Sequence, residues 1–196
     1  MKNRFSSFVR ILTLALVMGW VGLAQADGAL GYMKAKQTEL TALIQDSSPA
    51  GQKKLVSAFD QLLDYDALAK DSLGADWAKL SADQQKEFQS LLTTLVQRAY
   101  TKNLRDTLAY EITFQGEQDV TGGKLVKTVA KHKTDARKEP IAIEYRVHQV
   151  GGAWRIFDIV TEGSSLVANY RGQFHKLIEK KGVAGLLERM KQKAAE

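Results

Sequence analysis

The segment Trp154–Phe174, WRIFDIVTEGSSLVANYRGQF, decides the fold, because it passes from a strand signal through a Gly-Ser break to a helix signal without a linker. Its first half holds Trp154, Ile156, Phe157, Ile159 and Val160 within seven positions, bounded by Gly151-Gly152 and Gly163. Branched and aromatic residues between glycine breaks read as a strand. The second half spaces Leu166, Tyr170 and Phe174 four apart and continues through Leu177 and Ile178, the period of one helix face.

Upstream of this segment the period is two. Tyr110, Ile112 and Phe114 alternate with Glu111, Thr113 and Gln115, and Ile141, Ile143, Tyr145 and Val147 form a second alternating run against Glu144, Arg146 and His148. Such alternation marks strands with one buried and one wet face. Gly151-Gly152 suits a two-residue hairpin, whose favoured turn needs positive φ at both positions. Thr121-Gly122-Gly123 turns the chain into a less regular strand near Lys124–Lys133.

Further upstream the period is helical. Gly28–Gln45 carries Met33, Leu40, Leu43 and Ile44, and a clearer stripe follows in Leu55, Val56, Phe59, Leu62 and Leu63. Asp64–Leu73 reads as a short helix stopped by Gly74. Ser81-Ala82-Asp83-Gln84 is a capping box ahead of the longest helix, about Ala82–Leu104, whose stripe includes Phe88, Leu91, Leu92, Leu95, Val96, Tyr100 and Leu104. After Phe174, Lys180-Lys181-Gly182 ends one helix, and Val183, Leu186, Leu187 and Met190 begin another. The expected fold is α+β: a four-stranded antiparallel meander, with helices before and after it packed on one face.

The N-terminus reads differently. Lys2, Arg4 and Arg10 precede an apolar run, Ile11–Leu23, that ends in Ala24-Gln25-Ala26. A basic leader, a short apolar stretch and a small-residue box form a cleavable secretory signal, expected to span residues 1–26, with an uncleaved N-terminal anchor as the other reading of the apolar run. Residues 27–196 are then a single domain, long enough to bury one core without staples. Cleavage lowers the formal charge from +6 to +3, because Lys2, Arg4 and Arg10 leave and no acid does. A mild, dispersed surplus lacks the concentrated basic face of a nucleic-acid binder, so no nucleic-acid partner is expected. The chain has no cysteine, which removes disulfides and thiolate chemistry from consideration.

No reaction centre assembles from the motifs. Gly163-Ser164-Ser165 lacks the glycine spacing of a nucleophile elbow, and one of its serines is expected to cap the following helix. Free amides at that helix start are a site for a lipid phosphate only if the serines do not take them. Asp158 and Glu162, four residues apart on a strand, are separated by about 13 Å. Asp158 alternates onto the face of Trp154, Ile156 and Val160, where a carboxylate needs a partner such as Arg171 or a tyrosine hydroxyl. His132, His148 and His175 are far apart in sequence and are expected at the solvated surface. Neither a metal nor a cofactor is implied.

Several of these residues recur in a spaced pattern: Trp154, Asp158, Glu162-Gly163, Ser165, Asn169-Tyr170-Arg171, Phe174, Gly182 and Leu186, with Gly74, Trp77, Leu80, Phe88, Leu95 and Tyr100 before them. In this pattern the chain resembles the MlaC family, the periplasmic phospholipid-binding component of the Mla lipid-transport system, also called the toluene-tolerance auxiliary component. The resemblance implies a periplasmic shuttle, not an enzyme, that holds glycerophospholipid tails and helps maintain outer-membrane lipid asymmetry. It also implies two partners: an inner-membrane ABC transporter with a periplasmic lipid-receiving subunit, and an outer-membrane lipoprotein or porin complex. It implies further that the helices and the sheet enclose an apolar cavity, with the inward-facing apolar residues as the expected lipid-binding set. On the long helix these are Leu91, Leu95, Tyr100 and Leu104, and on the strands Tyr110, Ile112, Phe114, Ile143, Tyr145, Val147, Trp154, Ile156 and Val160. The helix after the strands adds Leu166, Tyr170 and Phe174. Other readings of the same residues are a carrier for a hopanoid or small aromatic compound, a pocket enzyme using Asp158, and a protein-binding adaptor with a solid core.

Overall fold

The computed structural model describes residues 28–195, with side chains throughout that range except at 100–105. The expected signal segment, residues 1–26, lies outside the described residues. The chain runs α1 (Gly28–Gln45), α2 (Pro49–Leu62), α3 (Tyr65–Leu73), a 3-10 turn (Gly74–Lys79), α4 (Ala82–Asn103) and a second 3-10 turn (Leu104–Ala109). The strands β1 (Tyr110–Val120), β2 (Gly123–His132), β3 (Ile141–Val150), β4 (Ala153–Thr161) and β5 (Ser164–Ser165) follow, and α5 (Leu166–Ala195) closes the chain.

Local chemistry sets most boundaries. Ser48 Oγ accepts from Gly51 N at 3.0 Å and Asp64 Oδ1 from Ala67 N at 2.9 Å, capping α2 and α3. The capping box forms reciprocally: Ser81 N donates to Gln84 Oε1 at 2.9 Å, and Gln84 N to Ser81 Oγ at 3.3 Å. The two final helical segments abut at Gly182, whose φ of 68° and ψ of 178° break the helix where a side chain would be strained.

The sheet is an antiparallel meander in the order β1-β2-β3-β4-β5. It has five strands where the sequence predicts four, because Glu162 and Gly163, at φ 49° and 74°, fold Ser164–Ser165 back onto Val160 and Thr161. Positive φ is uncommon at a non-glycine residue such as Glu162. Here the Glu162 carboxylate accepts from Ala142 N at 2.5 Å, and Glu162 N donates to Ala142 O at 3.0 Å, which holds the turn against β3.

One bulge matters for the site. Arg146 pairs with Asp158 and Val147 with Ile156, leaving Phe157 as an extra residue on β4. An extra residue reverses the alternation beyond it. Ile156 and Ile159 therefore share the inner face, and Asp158 leaves the face predicted for it.

The core lies between the sheet and the helices. Phe88, Leu92 and Val96 from α4 pack with Leu68 and Leu73 from α3, Leu186 and Leu187 from α5, and Val126, Val147 and Ile156 from the sheet. Val56, placed on the α2 stripe by its spacing, is exposed instead. The outward residues Glu111, Thr113, Lys131, Ala142 and Arg146 are exposed, so much of the opposite sheet face is wet, whereas Leu125, Asp158 and Val160 are buried.

Candidate functional site

Helices α1 and α2 both reach the sheet, α1 at β1 and β2 and α2 at β4, without filling the space beneath them. Between them and the sheet lies a partly enclosed cavity of about 460 Å³. Met33, Leu40 and Ile44 line it from α1, Phe59 and Leu62 from α2, and Leu63 from the joint that follows. Tyr110, Ile112 and Phe114 of β1, Ile143 and Tyr145 of β3, and Ile156, Ile159 and Thr161 of β4 form the facing wall. Burial pushes the Tyr145 phenol above its usual range, offset in part by a hydrogen bond with Thr128.

Polar groups in the lining come from two places. Lys36, Gln37 and Thr41 lie on α1, and Thr107, Glu111 and Lys133 on the segments facing it. Lys36 Nζ pairs with Glu39 at 2.7 Å, and Lys133 Nζ donates to Leu108 O at 2.7 Å. Thr41 Oγ1 donates to Gln37 O at 2.8 Å, so its hydroxyl is satisfied within the helix. These polar side chains on α1 explain why its apolar stripe is weak in the sequence.

The predicted binding residues divide. Tyr110, Ile112, Phe114, Ile143, Tyr145 and Ile156 line the cavity. Leu166 and Tyr170 line a small space beside it, together with Ile156. Leu91, Leu95, Val147, Trp154, Val160 and Phe174 are absent from both linings. Leu91, Leu95 and Trp154 pack against the core, and Val147 is fully buried in it. Val160 is displaced by the Phe157 bulge, which puts Ile159 in its place. Phe174 stacks on Tyr170 with ring centroids 5.4 Å apart and meets the Phe88 ring edge-on at 5.4 Å. Tyr100 and Leu104 fall among the side chains outside the description.

The cavity lining also holds Met33, Leu40, Ile44, Phe59, Leu62, Leu63, Leu108, Ile159 and Thr161, which the expected set omits. The stripes that carry Met33 to Leu63 were visible, but not their convergence on unfilled space, and plain alternation put Ile159 and Thr161 on the other face of β4.

Asp158 is 4% exposed and absent from the cavity lining. Its partners are neither Arg171 nor a tyrosine: Ser165 Oγ donates to it at 2.7 Å and Val167 N at 3.1 Å. Ser165 Oγ in turn accepts from Ala168 N at 3.0 Å, so both side chains cap α5. Arg171 Nε donates to Asp71 O at 2.8 Å instead. The Val167 and Ala168 amides at the start of α5 are thus already engaged.

The histidines are not simply solvated. His148 Nε2 lies 2.7 Å from Asp64 Oδ2, and His132 Nδ1 accepts from Asp135 N at 3.0 Å. His175 Nδ1 meets Asp76 Oδ2 at 2.6 Å while its Nε2 faces Glu179 at 3.3 Å, and Asp76 also pairs with Lys79 at 2.5 Å. Asp76 is held below the usual carboxylate range by Lys79 and then His175, and His175 is raised chiefly by Asp76. A raised histidine contributes stability that is complete below its unfolded value of 6.5 and is lost as pH rises through its folded value. The lowered Asp76 contributes above 3.8 and loses that contribution as pH falls through its folded value. The urea midpoint is therefore expected to rise as pH drops from about 8 to about 6, and the rise should shrink in His175→Gln. An identical pH profile in the variant would remove His175 as a cause.

Among the described residues no group of three His, Asp or Glu side chains is placed to hold a metal, and no helix is long and apolar enough to cross a membrane. The family described as MlaC protein matches residues 30–192. No curated protein matches the chain. Among solved structures, a phospholipid-binding protein from Ralstonia solanacearum, in complex with a phospholipid, aligns with a TM-score of 0.71 and 22% identity over 86% of this chain and 97% of that one. Likeness at that identity is likeness of fold.

Proposed function

This chain belongs to the MlaC family, and from that premise we propose that it is a periplasmic carrier that takes up a glycerophospholipid by its acyl chains and passes it between membrane complexes. The observation that carries the reading is the cavity of about 460 Å³ between α1–α2 and the sheet, lined mostly by apolar side chains. Its volume falls within the range of small-molecule sites. The requirement it meets is physical: each CH₂ taken from water contributes about 0.8 kcal/mol, so a lipid crosses an aqueous space only with its tails enclosed.

In this reading residues 1–26 direct export and are removed, and residues 27–196 form one lipid-binding domain. An inner-membrane ABC transporter with a periplasmic lipid-receiving subunit is one partner, and an outer-membrane lipoprotein or porin complex is the other. Exchange between them contributes to outer-membrane lipid asymmetry. Support comes from family membership and from the phospholipid held by the structural neighbour.

Native mass spectrometry of protein purified from the periplasm without detergent, followed by lipid extraction, tests the proposal. A stoichiometric adduct that proves to be a glycerophospholipid is expected. A hopanoid or small aromatic adduct would replace the cargo. An unliganded mass, with no uptake from phospholipid vesicles, would overturn the carrier reading.

A further inference from the structure

The described residues hold two methionines, Met33 on α1 and Met190 on α5, and the chain has no cysteine. Their thioethers are the only sulfur in the described domain. Both are sheltered from solvent to the same degree, Met33 at 4% exposed and Met190 at 3%. What separates them is the cavity. Met190 packs in the core and is absent from the cavity lining, whereas Met33 belongs to that lining, with Gln37 and Leu40 following it along α1.

Methionine in a protein interior ordinarily serves as a flexible filler of irregular gaps. Met190 fits that account. Met33 goes beyond it, because about 460 Å³ beside it stays unfilled. A thioether in this place is shielded from oxidants dissolved in water, and its rotatable bonds bring the sulfur within reach of whatever occupies the cavity. The lining holds no second group of this reactivity, since its other side chains are hydrocarbon, aromatic, hydroxyl, amide or charged.

Resting on the carrier reading, we propose that Met33 is an oxidation site with a defined substrate, a hydroperoxide carried on an acyl chain in the cavity. The sulfur lone pair attacks the outer oxygen of the peroxide. An S–O bond forms as the O–O bond breaks, and the hydroperoxyl proton passes to the leaving alkoxide. The lipid is reduced to an alcohol and the thioether is oxidised to the sulfoxide, so the step balances without another reductant. A sulfoxide also sets a polar group in an apolar wall, which weakens the hold on a tail. Each chain therefore removes one oxygen and stops until a methionine sulfoxide reductase restores it.

Two oxidants and two variants test the proposal. The mature protein is incubated with phosphatidylcholine vesicles whose linoleoyl chains carry a hydroperoxide, and in parallel with hydrogen peroxide. Peptide mass spectrometry reads the sulfoxide at each methionine, extraction reads the lipid alcohol, and native mass spectrometry reads bound lipid. With the lipid hydroperoxide, Met33 is expected to oxidise at least about tenfold faster than Met190, with one lipid alcohol formed per sulfoxide. With hydrogen peroxide the two rates should agree within about threefold, because their shelter from solvent is equal. Met33→Leu should abolish alcohol formation per bound lipid, and Met190→Leu should leave it within about twofold of the parent. Equal oxidation of both methionines by the lipid hydroperoxide overturns the proposal, as does the same preference for Met33 under hydrogen peroxide. Bound hydroperoxide that persists beside an unmodified Met33 overturns it too, while leaving the carrier reading intact. A parent that binds neither this lipid nor unoxidised phosphatidylcholine sinks the carrier reading itself.

Discussion

Leu40→Trp combined with Ile143→Trp is expected to reduce lipid carriage at least about tenfold while leaving the protein folded and more resistant to heat. The two positions lie on opposite sides of the cavity, one on α1 and the other on β3, and both are only partly buried. Indoles placed there occupy space that the acyl chains would take. In the lipid-free protein they also cover apolar wall, and the recovered contact contributes about 1–2 kcal/mol. For a domain of this size that corresponds to a Tm about 2–8 °C higher. Had these positions been solid core, the same insertions would overpack it and cost about 1–3 kcal/mol each. Lipid content and Tm measured together therefore separate a carrier from a protein-binding adaptor. A folded variant that retains parental lipid would show that the tails are held elsewhere.

The second large effect belongs to Asp158. Replacing it with Ala removes the acceptor of Ser165 Oγ and Val167 N at a site 4% exposed, and leaves the backbone donor buried without its partner. Hydrogen bonds to a charged group contribute about 1.5–3 kcal/mol each, and an unsatisfied buried donor adds a desolvation cost. Urea denaturation of Asp158→Ala is expected to show a loss of about 3 kcal/mol or more. Asp158→Asn keeps one acceptor oxygen and should lose about 1–2 kcal/mol. A neutral Asp158→Ala would contradict the capping role. Because the carboxylate is tied to the start of α5 and does not line the cavity, normal lipid loading is expected in any Asp158 variant that folds.

The residues around Trp154–Phe174 show how far a linear reading reaches. The Gly151-Gly152 hairpin, the Gly74 and Gly182 helix stops and the Ser81 capping box formed as read, because each depends on groups only a few residues apart. That Asp158 would be buried was legible, though its face was not, because the Phe157 bulge turns it away from Ile156. Its partner was not: Ser165 and Val167 reach it only because Glu162 adopts positive φ and reverses the chain. His175 is exposed as read, but its pairing with Asp76 was not legible, because the two are 99 positions apart in the sequence.

The cavity marks the same division more sharply. By itself the sequence determined the element types, the α+β class and the apolar face of most helices and strands, since periods of 3.6 and 2 report which side chains share a face. A face packed into a core and a face bordering empty space have the same period. Tertiary structure decided that Leu91, Leu95 and Phe174 close against other helices while Met33, Leu40 and Phe59 face a void. It also decided, through one unpaired residue at Phe157, that Ile159 rather than Val160 joins the cavity wall. The physical reason is that unfilled volume is set by how far whole elements stand apart, a distance that no local spacing of residues encodes.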